Sequence, residues 1–346
     1  MIRFLWVLCA LVLMLNVVPA QAQPAVVTAD QLSSVRSGLE PVPYEDTPRT
    51  QQFYYRSNEW RQDLLLPHLQ GLGGAVIGVG SDQLYTMCAM ADCGLIVSSD
   101  FDARIAWLHR MYTPMLQAAA TPEEFVALLS DESAQATREL VARSLAADPD
   151  VERMLAHFDS QRAAWRAYLG RVMRNRWEGS ATGWLGRADW YNHIRTLHAE
   201  GRVVGRTADL TSPAVFEQVG RVLSEAGVLV RLVYFSNAEQ FFTYGDGFKA
   251  NMRSLPTDER TQVVRTVRNR HVLPAESGRW HFMVHQFDDF VARIESGFYP
   301  RSFGLVADLL AAGPPHRGHD GISTMDSTTP RAMAERSARR RRQSRR

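Results

Sequence analysis

Lysine is nearly absent from this 346-residue chain, in which Lys249 is the single lysine among 39 basic residues. No lysine stands behind a glycine-rich turn, so the phosphate-loop signature of nucleotide hydrolases is excluded. Neither a Gly-x-Ser-x-Gly nucleophile elbow nor a His-Glu-x-x-His zinc helix occurs, which removes the usual hydrolase signatures as well. Cysteine is sparse, at three residues. Nor does any apolar run reach the roughly 20 residues that a membrane span needs. The longest, Phe4 to Val18, stops at about 15.

That run follows Arg3 and leads into Pro19-Ala20-Gln21-Ala22, with small residues where a signal peptidase reads. Residues 1–22 therefore read as a signal peptide, and the mature chain as exported to the periplasm, the envelope or the medium without a transmembrane segment. Cys9 lies inside the run rather than at the cleavage point, so no lipid anchor is expected. Cys88 and Cys93 survive processing. An oxidising compartment permits them to pair, and two buried thiols are the other reading. At the far end, residues 313–346 turn to Gly, Pro, Ser, Thr and Arg and finish in a run from Arg339 to Arg346, which reads as a disordered basic tail. Such a tail suits contact with a polyanion, or is simply solvated.

Between the ends, residues 23–52 look like an arm with little core character, and 53–312 like one α/β domain. Ala75-Val76-Ile77 has the apolar run of a buried parallel strand and breaks into Gly78-Val79-Gly80-Ser81-Asp82. A helix from about Gln83 to Ala91 and a second strand, Leu95-Ile96-Val97, follow. Strand, glycine turn, helix, strand and acid in that order open a doubly wound, Rossmann-like sheet. Residues 103–177 are then helical almost throughout, a helical insertion after strand 2. Strands resume at Arg202 to Arg206 and at Val228 to Phe235, with a final pair expected at Trp280 to Val284 and Phe298 to Phe303.

Ligands of such sheets bind beyond the carboxyl ends of the strands. The polar clusters placed there are Gly78 to Gln83, Asp100 with Asp102, Asp209, and Ser236-Asn237-Ala238-Glu239-Gln240. Gly78 and Gly80 allow close backbone approach, and Asp100 stands 22 residues beyond Gly78, near the spacing at which an acid meets ribose hydroxyls. Asp82 occupies the third-glycine position and sets a negative charge where a pyrophosphate would sit, which disfavours NAD and ATP more than a cationic nucleoside. The cluster at Ser236 also reads as a helix N-cap. His281 and His285 share one strand face without a third ligand nearby in sequence, so no metal site is expected. His193 and His198 read as helix-surface residues.

These segments resemble an uncharacterised bacterial family known from leptospiral conserved hypothetical proteins, whose fold is like that of class I S-adenosylmethionine-dependent methyltransferases. The resemblance rests on Ser57-Asn58-Glu59, Gly78-Val79-Gly80-Ser81-Asp82-Gln83, Asp100 with Met111-Tyr112, Asp209, and Ser236 to Gln240 with Asn251 and Leu255-Pro256. It implies a seven-stranded sheet with Gly78, Gly80, Asp82, Gln83, Asp100 and Asp209 on the S-adenosylmethionine side. Ser57, Asn58, Glu59, Ser236, Asn237, Glu239 and Gln240 would then lie on the acceptor side. Val76 stands where an acid usually precedes the first glycine, and Asp82 replaces the third. Three functions stay open: a non-catalytic envelope protein that binds a small or nucleoside-like ligand, a methyltransferase, or an enzyme of another kind. Export favours the first, because S-adenosylmethionine is made in the cytoplasm.

Overall fold

Ala75, Val76 and Ile77 are fully buried, as a strand covered on both faces requires. They belong to a computed structural model that describes residues 27–38, 56–312 and 321–335. The leader and the terminal arginine run lie outside the described residues.

Helix α1 (Ala29–Gly38) is followed by a 3-10 turn (Gln62–Leu65), α2 (Leu66–Leu69), β1 (Ala75–Gly78), α3 (Gln83–Ala91) and β2 (Leu95–Asp100). The insertion comprises α4 (Ala103–Ala118), α5 (Pro122–Ala127), α6 (Ala134–Ser144), α7 (Val151–Arg174), a small hairpin of β3 (Arg176–Trp177) and β4 (Ser180–Ala181), and α8 (Ala188–Ala199). It therefore runs beyond residue 177. Then come β5 (Val203–Thr207), α9 (Pro213–Glu225), β6 (Val230–Ser236), α10 (Asp246–Ser254), β7 (Gln262–Val267), β8 (His281–Gln286), α11 (Phe287–Glu295), α12 (Ser302–Ala311) and β9 (Ile322–Met325).

Seven strands form one mostly parallel sheet in the order β5-β2-β1-β6-β7-β8-β9. The first five run parallel; β8 lies antiparallel to β7, and β9 runs parallel to β8. Side chains alternate between two cores. Val76, Ile96, Leu232, Tyr234 and Val264 face α3 and the insertion, whereas Ile77, Val97, Val233, Phe235 and Val263 face α1 and α9 to α12.

Several expectations need correction. Residues 298–303 are not a strand, since Ser302 begins α12. The strands are instead β7, whose apolar pattern is broken by Arg265, and β9, which lies in the segment expected to be disordered tail. Edge strand β9 is paired on one side only, so Ile322-Ser323-Thr324-Met325 needs little apolar content. The arm contributes to the core through Val27, Leu32 and Val35. His198 is buried rather than on a helix surface, and His193 is half-buried. Of the two readings open for Cys88 and Cys93, the structure holds the first, a disulfide.

A buried polar chain ties β7 and β8 to the C-terminal segment. Glu239 pairs with Arg265, whose guanidinium faces His285 Nδ1 at 3.3 Å, and His285 Nε2 meets Asp289 at 2.8 Å. Asp289 also binds Arg293, which pairs with Asp308 and donates to the Thr329 carbonyl at 2.7 Å. Charges this deep persist only when mutually satisfied.

Candidate functional site

Strand β1 ends at Gly78, where any Cβ would meet the Tyr234 carbonyl oxygen at 2.7 Å and Leu84 at 2.8 Å. The glycine thus serves packing. Gly80 takes a left-handed φ of +83°, which favours glycine. Its N–H donates to Asp100 Oδ2 at 2.8 Å, while Asp100 Oδ1 accepts from the Asp102 N–H at 3.0 Å. Both carboxylate oxygens of Asp100 therefore hold backbone amides. Burial pushes the Asp100 carboxyl up to about 6, against the pull of those amides. Asp102 caps α4 by accepting from the Arg104 N–H at 3.0 Å.

Asp82 and Gln83 turn inward. Gln83 Oε1 accepts from the Ser81 N–H at 3.1 Å. Asp82 Oδ1 accepts from the Tyr168 hydroxyl at 2.8 Å and Asp82 Oδ2 from the Trp184 indole at 3.2 Å. Tyr168 comes from α7 and Trp184 from the turn after β4, so the insertion covers the glycine turn. Burial raises the Asp82 carboxyl, and its hydrogen bonds oppose that.

Glu59 is the second buried carboxyl. It accepts from Ser236 Oγ at 2.7 Å, from Thr266 Oγ1 at 2.9 Å and from the Tyr234 hydroxyl. Burial raises it, and those three hydroxyls pull it back. Ser57 Oγ accepts from the Glu59 N–H at 3.0 Å, and the exposed Asn58 accepts from the Trp280 indole at 2.6 Å. Ser57, Glu59 and Ser236 are thus brought together. Glu239, by contrast, turns to Arg265 and Tyr244 in the other core, so the Ser236 to Gln240 cluster is split. Asn237 and Gln240 are half-buried, and no side-chain bond caps the short turn there. Asp209 is exposed and accepts from the Thr211 N–H at 2.8 Å, closing a local turn.

Between the two carboxyls lies a cavity of about 20 Å³, bordered by Ser57, Glu59, Asp82, Thr86, Tyr168 and Asn175. That is room for about one water molecule. The residues present therefore do not fit S-adenosylmethionine. Asp100, the acid expected to meet ribose hydroxyls, is committed to two backbone amides, the Gly80 amide is committed to Asp100, and the space is filled by Tyr168 and Trp184. A larger groove of about 410 Å³ opens at the opposite end of the sheet, beside Gln262, Gln286 and Asp326.

Tyr168, Trp184, Thr266 and Arg265 were not legible as site residues. Each acts on a partner far away in sequence, and no local motif marks it.

The class these features define is an α/β protein with a seven-stranded, mostly parallel sheet and its polar groups gathered where the parallel strands end. Within that class the chain belongs to the DUF7790 family, a domain of unknown function whose profile matches residues 54–325. No curated protein matches the chain significantly.

Proposed function

We propose that the protein is an exported, non-catalytic binding protein built on a Rossmann-like sheet of the class I methyltransferase type. The parallel order β5-β2-β1-β6-β7 supports the Rossmann-like part of this reading, being the order of that fold's first five strands. The observation that carries the non-catalytic part is the double engagement of Asp100 by Gly80 and Asp102 beneath a turn covered by Tyr168 and Trp184. Export is supported by the leader and by the Cys88–Cys93 disulfide, a bond that persists in oxidising compartments.

At this end of the sheet the rim is open to a ligand. Asn237 and Gln240 offer amides in the same turn as Phe241, which is 73% exposed, and the exposed Asn58 stands at the Trp280 indole; such polar groups suit a small polar or nucleoside-like ligand. The arginine run after Glu335 supplies a polyanion contact. The alternative, a methyltransferase acting on an unknown acceptor, is favoured by the acid at the end of β2 and requires Tyr168 and Trp184 to leave Asp82.

Calorimetric titration of the mature chain with S-adenosylmethionine and S-adenosylhomocysteine separates the two. No heat at roughly millimolar ligand, a Kd regime weaker than about −4 kcal/mol, is expected. Saturable heat would replace this reading with the alternative.

A further inference from the structure

The Cys88–Cys93 disulfide has a third neighbour that completes a set of metal ligands. Helix α3 stops at Asp92, which takes a left-handed φ of 53°. The reversal lets the Cys93 N–H donate back to the Cys88 carbonyl at 3.0 Å and brings the two Cα atoms to 5.0 Å. Such a helix stop is sufficient to pair cysteines five residues apart. His193 on α8 places its Nε2 3.8 Å from Cys88 Sγ and 3.0 Å from the Cys93 carbonyl. Its Nδ1 faces the Asp92 carboxylate at 3.8 Å. The two sulfurs and an imidazole nitrogen all lie within 4.8 Å of one another.

We propose that reduction of this disulfide opens a three-ligand site for a thiophilic divalent cation of the zinc type, held by Cys88, Cys93 and His193. Tetrahedral coordination with metal–sulfur bonds of about 2.3 Å and metal–nitrogen bonds of about 2.0 Å sets sulfur and nitrogen about 3.5 Å apart. The 3.8 Å between Cys88 Sγ and His193 Nε2 is already near that value. When Nε2 binds the ion it gives up the Cys93 carbonyl, and the ring proton moves to Nδ1, where it points at Asp92. A carboxylate behind a ligating imidazole orients the ring. His193 and Asp92 keep 27% and 63% of their side chains exposed, so the ion has a path from solvent and a water takes the fourth position.

The step balances with an external dithiol as reductant. The dithiol gives two electrons and two protons to the sulfur–sulfur bond and leaves as a disulfide. The cation then displaces both thiol protons as it binds the thiolates. Without a cation the reduced cysteines have backbone acceptors of their own, the Cys93 and Leu95 carbonyls at 3.7 and 3.4 Å. The disulfide is thus the closed state of the site.

The test uses the full mature chain reduced with dithiothreitol, freed of it without air, and titrated with Co²⁺ as a coloured probe for zinc. One equivalent should bind with a thiolate-to-cobalt absorption band, in the reduced chain alone. His193→Ala should weaken binding at least tenfold and Asp92→Asn by about tenfold, while Cys88→Ser should remove most of the band. A folded reduced chain that shows no such band would overturn the proposal. So would a His193→Ala titration equal to the wild type, or a reduced chain that loses its folded circular dichroism, since the site needs α3 and α8 in place.

Discussion

The hydroxyl of Tyr168 donates to Asp82 at 2.8 Å across 86 residues of chain. One residue belongs to the helical insertion and the other to the glycine turn, so this bond joins the part of the fold that is added to the part that would hold a cofactor. Removing the hydroxyl tests the bond. Tyr168→Phe should lower stability by about 1.5–3 kcal/mol, the range for a hydrogen bond to a charged group, read from urea denaturation. Unchanged stability would mean that Asp82 finds no net support from α7.

Asp100 is expected to act as a structural residue. Asp100→Ala leaves the buried amides of Gly80 and Asp102 without their acceptor, at about 1–3 kcal/mol each. A drop in melting temperature should follow. A variant as stable as the wild type would return Asp100 to the role of a free ligand-binding acid.

Acid should probe the buried histidines. Burial pushes His109 down to about 4 and His198 to about 3, and the Tyr85 hydroxyl stands between them, 3.0 Å from His198 Nε2. Above pH 6.5 both rings are neutral in either state and cost nothing. As pH falls from 6.5 towards 4 the unfolded chain binds protons that the folded chain refuses, so stability falls by up to about 1.4 kcal/mol per pH unit for each ring. Asp100 works with the opposite sign between about 6 and 4, because its folded carboxyl takes the proton first. The informative quantity is therefore a difference: His198→Gln should lose stability less steeply with acid, by about 1.4 kcal/mol per pH unit. Equal slopes in denaturation curves from pH 6.5 to 4 would show that His198 is not held neutral.

The C-terminus should divide at two points. A chain ending at Glu335 keeps β9 and the contacts of Arg293 and Arg331, and should melt like the full chain while losing retention on a polyanion column. A chain ending at Gly313 loses β9 and leaves Asp289 without Arg331 and Arg293 without the Thr329 carbonyl. A cost of about 3–5 kcal/mol is expected for that exposed and broken buried network. Equal melting of the two truncations would contradict the placement of β9.

Much of the parallel half of the sheet was legible in the sequence because its strands are short apolar runs that stop at glycine or acid. Ala75 to Gly78 and Leu95 to Asp100 follow that pattern, and Val230 to Ser236 is a longer run, interrupted by Arg231, that stops at the polar Ser236-Asn237. Strand β8 was legible as well, at Trp280 to Val284, whereas β7 and β9 were not, for two physical reasons. Arg265 sits in the middle of β7 and leaves only Val263-Val264 before it, too short an apolar run to mark a buried strand until its partner Glu239 is known. Ile322 to Met325 lies in a stretch of serine and threonine, and an edge strand needs too few apolar residues to stand out. The site was legible by location and only partly by role. Ser57, Glu59 and Ser236 do converge, but the partners that commit Asp82 and Asp100 are one indole, one phenol and two backbone amides, none of which a local motif reveals.

Amide hydrogen exchange over residues 76–103, with and without roughly 1 mM S-adenosylmethionine, tests the closed glycine turn most directly. The Gly80 and Asp102 amides should exchange only through global or near-global opening, and the ligand should leave their protection unchanged. Rapid exchange at Gly80, or protection that rises with the ligand, would contradict a turn already occupied by the protein's own groups.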